Sequence, residues 1–131
     1  MKIEDQVCSL ELSQRLKELG VKQESLFDYL LFSDWDIYLA GKNTEAHYRD
    51  CVSAFTVPEL VEMLPEKIIL NDKVYGLIIH KHDLTKSWKV ECYHVEYYHP
   101  DAESIYYIKN TLIEALAKML ICLLEIKQIR I

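Results

Sequence analysis

The stretch Lys67-Ile68-Ile69-Leu70-Asn71-Asp72-Lys73-Val74-Tyr75-Gly76-Leu77-Ile78-Ile79-His80-Lys81 decides the fold. Two short runs rich in β-branched and aliphatic residues flank Asn71-Asp72, a pair of turn formers. The reading is a strand from Lys67 to Leu70, a turn, and a strand from Val74 to Lys81. Downstream, His82 to Ser87 reads as a loop and Trp88 to Tyr97 as a further strand. His99-Pro100-Asp101 breaks that strand, and Ile105 to Ile108 is a last short one. Consecutive strands with short connections make an antiparallel meander.

Upstream, Leu26 to Phe32 and Trp35 to Leu39 read as a hairpin over Ser33-Asp34. Gly41 to Asp50 is polar and reads as a loop. Cys51 to Phe55 reads as a short buried strand. Three helices complete the chain. Residues 9–19 place Leu12, Leu16 and Leu19 on one face, with Ser9 as cap and Gly20 as the left-handed stop. Thr56-Val57-Pro58-Glu59 spells a capping box with Pro in the first turn, and Phe55 can staple onto Leu60. A second box, Thr111 to Glu114, opens a C-terminal helix from about Leu112 to about Lys127. That helix is apolar nearly all round, so it must be buried on more than one side, across the sheet and against another helix or a second subunit. The expectation is one α+β domain over residues 1–131. It has about five or six antiparallel strands and three helices, the last packed on the sheet.

The balance of charge narrows the partners. Of 131 residues, 15 are Lys or Arg and 21 are Asp or Glu, a net charge of −6. The excess sits in residues 1–65, with 6 basic against 12 acidic side chains, while residues 66–131 balance. A chain without a basic cluster is poorly suited to neutralise phosphates, so direct nucleic-acid binding is disfavoured. The acidic half suits a basic protein partner, or a mimic of nucleic acid if its carboxylates form one stripe. Cys8, Cys51, Cys92 and Cys122 are widely spaced in apolar settings and read as reduced thiols, which fits a cytoplasmic protein. Met1-Lys2-Ile3-Glu4-Asp5 lacks the apolar run of a signal peptide, and Met119 to Leu124 is too short to span a bilayer, so no membrane association is expected.

Few residues invite chemistry. His80-x-His82 and Cys92-x-His94 each have the spacing that puts two ligands on one face of a strand, and His80 and His82 are the candidate metal ligands. Register decides whether the two pairs meet. Taking Tyr75, Leu77 and Ile79 as one apolar face and Trp88, Val90 and Cys92 as the other pairs Ile79 with Cys92 and Leu77 with His94. His80 and His82 then face away from the second pair, so no cofactor is expected. Cys51 is the candidate nucleophile, following a loop that holds His47 and Asp50. The same register turns Tyr93, Val95 and Tyr97 away from the core. With Tyr98 they make an amphipathic, Tyr-rich surface suited to a protein interface. No phosphate-binding glycine loop and no hydrolase motif occurs.

Three separated segments together resemble a known pattern: Val7-Cys8-Ser9-Leu10-Glu11-Leu12 through Leu16 to Ser25, Ala54-Phe55-Thr56-Val57-Pro58-Glu59-Leu60 with Met63-Leu64-Pro65, and Ala117-Lys118-Met119-Leu120-Ile121 with Leu123-Leu124-Glu125. They are similar to a group of small uncharacterised proteins encoded by bacteriophages and prophages. Pro58 departs from the small residue usual there, and the last helix opens with fewer acidic residues. The group has no assigned activity, so no catalytic residue carries over. The resemblance implies a mobile-element origin and a bacterial host cytosol. The sequence therefore points to a non-enzymatic accessory protein acting by contact with a protein partner or with itself. A small enzyme at Cys51, a metal-binding protein at His80 and His82, and an acidic nucleic-acid mimic are the alternatives.

Overall fold

Asn71 and Asp72 both adopt positive φ, 50° and 64°, the conformation that a two-residue hairpin of matching twist requires. They join β4 (Lys67–Leu70) to β5 (Lys73–Thr85). The computed structural model describes residues 2–33, 37–41, 50–85 and 90–128, apart from the side chains of residues 50, 82–85, 90 and 91. Trp35, Trp88, His47 and the centre of the Gly41–Asp50 loop lie outside the described residues. The chain is α+β, as expected, but its strands form two antiparallel sheets rather than one meander.

The smaller sheet has the order β2-β1-β3, from β1 (Phe27–Leu31), β2 (Ile37–Gly41) and β3 (Asp50–Ser53). Tyr29 sits between Leu39 and Val52. The larger sheet runs β4-β5-β6-β7, with β6 (Val90–Tyr98) and β7 (Ile105–Lys109). This is the meander read from the Asn71-Asp72 stretch. β5 continues through His82 to Thr85, where a loop was expected, with a register irregularity between Asp83 and Thr85.

The helices obey their local signals. In α1 (Leu10–Glu18) Ser9 Oγ accepts the Leu12 N–H at 3.4 Å. At its end the N–H groups of Gly20 and Val21 donate to the carbonyls of Lys17 and Leu16, both at 3.0 Å. That paired closure needs a left-handed residue, and Gly20 supplies it at φ 91°. In α2 (Val57–Met63) Glu59 Oε1 accepts both the N–H and the hydroxyl of Thr56 at 2.9 Å. In α3 (Leu112–Glu125) Thr111 Oγ1 accepts the Glu114 N–H at 3.2 Å.

α3 is the centre of the molecule. One side lies on β6 and β7, and the other meets α1 and α2. Leu116, Met119, Leu120 and Leu123 are fully buried between Leu16, Phe55 and Leu60 on one side and Val95 and Tyr97 on the other. The all-round hydrophobicity of α3 is thus met inside the chain. Among the described residues, no helix is long and apolar enough to cross a membrane.

Candidate functional site

The β5–β6 register differs from the sequence expectation by an odd number of residues. Ile79 pairs with Val95 and Leu77 with Tyr97, not with Cys92 and His94. An odd slip exchanges the two faces of a strand. Tyr97 therefore points into the core, 0% exposed, with its hydroxyl donating to the Pro65 carbonyl at 2.6 Å. This corrects its assignment to a surface. The local pattern misleads because both strands carry apolar residues on both faces: Leu77, Ile78 and Ile79 are consecutive, and Cys92 and Val95 have opposite parity. What selects the register is tertiary: Val95 and Tyr97 belong to the core that α3 fills.

The three predicted interface tyrosines are consequently dispersed. Tyr93 is half-buried, with the Lys81 ammonium 5.8 Å from its ring centroid. It lines a cleft of about 730 Å³ between β1, the start of α2 and the start of α3, with Leu26, Phe27, Pro58 and Leu112. Tyr98 lies on the opposite face and is 45% exposed.

That opposite face has no helix of the described residues upon it, α3 being on the other. Ile69, Val74, Ile78, Tyr98, Tyr106 and Ile108 are exposed there. At its middle the corrected register sets His80 directly across from His94, and Glu96 is two residues along β6. The two imidazoles stack at 4.5 Å between centroids, 30° from parallel. His94 also meets the Tyr106 ring edge-on at 5.5 Å. His94 Nε2 lies 3.9 Å from Glu96 Oε1, and the two side chains are only 17% and 16% exposed. One ligand atom from each of His80, His94 and Glu96 falls within 4.8 Å of the others. The two His-containing motifs that the expected register separated are thus brought together through His80 and His94. Glu96 was missed, although its same-face spacing from His94 was legible. The His82 side chain lies outside the described residues; its backbone pairs with Cys92.

The remaining candidates separate. Cys51 is half-buried on β3 opposite Leu30, and its carbonyl accepts from Lys17 Nζ at 2.8 Å. Its expected companions, His47 and the Asp50 side chain, are outside the described residues. Cys8 is enclosed, and burial pushes its thiol up to about 11, away from nucleophilic use at neutral pH. All four cysteines are free thiols. Of the acidic half, the side chains of Asp34, Asp36, Glu45 and Asp50 lie outside the described residues. Glu18 pairs with Arg15, Glu24 with Lys22, and Glu59 is folded into the α2 cap. Comparison with protein families, curated proteins and solved structures finds no match.

Proposed function

We propose that this chain is a non-enzymatic interaction protein whose working surface is the open face of the four-stranded sheet. The exposed apolar side chains of that face carry the reading. The six named above present roughly 600 Å², at the upper end of what soluble monomers leave uncovered. A standard interface takes about 800 Å² from each partner, so these side chains supply most of one. The occupant we assign is a second copy of this chain. A protein of net charge −6 repels itself in general, but on this face Glu96 is offset by Lys67, two strands away. Two such faces can meet about a two-fold axis without setting like charges in opposition. The reading as a phage or prophage accessory protein of the bacterial cytosol rests on the resemblance of the three quoted segments.

Light scattering coupled to size-exclusion chromatography tests the assignment. The wild-type chain should elute as a dimer, and Tyr106→Asp or Ile78→Lys should shift it to monomer with an unchanged circular dichroism spectrum. A wild-type chain that stays monomeric at high micromolar concentration overturns self-association through this face.

A further inference from the structure

We propose that His80, His94 and Glu96 form a binding site for one divalent transition-metal ion of the zinc, cobalt and nickel class. Nothing in the interaction reading above requires this site, and it stands on separate observations.

The first is backbone placement. His80 and His94 are directly opposed on adjacent antiparallel strands, and Glu96 follows on the same face. Opposed residues hold their Cβ atoms about 4.5–5.5 Å apart. Two rings hung from such a pair can turn one nitrogen each toward a common point by side-chain rotation alone. The sheet supplies the rigidity that a pre-organised site needs.

The second is spacing. A direct His–carboxylate hydrogen bond would bring its atoms to about 2.8 Å. Ligand atoms around a tetrahedral ion with bonds of about 2.0–2.1 Å stand roughly 3.3 Å apart. His94 Nε2 and Glu96 Oε1 stand at 3.9 Å, and all three ligand atoms lie within 4.8 Å. The His94–Glu96 pair is thus wider than direct contact, and the three atoms lie within about 1.5 Å of the spacing around a shared ion.

The third is environment. His94 Nε2 is closed off from solvent, and the Glu96 side chain is 16% exposed. Ile78 lies beside Glu96, and Tyr106 and Ile108 flank the other side of β6. Two imidazoles with one carboxylate select a borderline ion over Mg²⁺ or Ca²⁺, which want oxygen shells. Three protein ligands leave a fourth coordination position for water or another small ligand.

The test uses the full chain without an affinity tag, stripped with chelator and titrated with Co²⁺, followed by displacement with Zn²⁺. One equivalent should bind, with visible d–d bands and without the intense near-ultraviolet absorption of a cobalt–thiolate bond. His94→Ala and His80→Ala should each weaken binding by more than the ten- to hundred-fold typical of losing an outer-shell partner. Glu96→Gln, nearly isosteric, guards against a folding defect: it should keep the wild-type circular dichroism and still lose affinity. Absence of saturable binding, a thiolate signature, or an unchanged affinity in the His80→Ala/His94→Ala chain each overturns the site. A chain carrying Ile69→Lys, on β4 of the same face and away from the three ligands, should be monomeric and still retain the metal, which keeps this outcome separate from that of the dimer.

Discussion

A single hydroxyl ties the buried face of β6 to the end of α2. Tyr97 carries a polar atom into a core of Leu, Met and Phe, and the Pro65 carbonyl beyond the end of α2 receives it. Tyr97→Phe keeps the ring and removes the donor, which leaves that carbonyl without this bond. The expected cost is about 1–2 kcal/mol, seen as a fall of roughly 5 °C in thermal midpoint. A midpoint equal to wild type would mean that the hydrogen bond contributes nothing net. Tyr97 also shows what sequence can and cannot reveal about a residue. Its parity with Tyr93 and Val95 was plain, so the three were correctly placed on one face. Which face met the core was not, because the opposite set includes Cys92 and faces an equally apolar Ile78. The same ambiguity concealed the His80–His94 pair.

The helices were legible almost residue by residue, since their termini depend on local chemistry. Ser9, Gly20, Thr56, Glu59 and Thr111 do what their positions announce. Glu59 does more than its capping box implies. Its carboxylate also lies 2.9 Å from the Ser25 hydroxyl and accepts the Leu26 N–H at 3.3 Å. One side chain thus ties the entry of β1 to the start of α2, a link across more than thirty residues that no local pattern encodes. Glu59→Ala should therefore cost more than the roughly 1 kcal/mol usual for a lost cap, on the order of 2–3 kcal/mol in urea unfolding, because several donors lose their acceptor at once. Thr56→Ala leaves the Thr56 N–H and the two Ser25–Leu26 contacts in place and should cost only about 1 kcal/mol. Equal effects of the two substitutions would reduce Glu59 to a simple cap.

At the scale of the molecule, the strand segments were read in nearly the right places, but the described residues hold seven strands where about five or six were expected, and their division into two sheets was not foreseen. Strand signals are local, whereas the partition depends on α3 covering one sheet while β3 packs beside α1. The enclosed core that results has a consequence at alkaline pH. Burial raises the pKa of Cys8 from 9.0 to about 11. Burial likewise raises those of Tyr97 and Tyr29, and of Tyr107, where Cys122 adds to the effect. Each group is neutral when protonated, so the folded state holds its proton more tightly than the unfolded chain. Such a group contributes stability that is complete below its unfolded pKa and is lost as pH rises through the folded value. For Cys8 that window runs from about 9 to 11; the tyrosines, whose ordinary value is 10.0, add to the decline from there upward. The unfolding free energy measured in urea should fall as pH passes 9. Cys8→Ala lowers stability throughout by opening a small cavity, yet its curve should descend less steeply between pH 9 and 11, the difference accumulating to on the order of 2 kcal/mol. Parallel curves for the two chains would place the Cys8 thiol in contact with water, and with it the joint between the N-terminal segment, α1 and the Phe55 segment that encloses it.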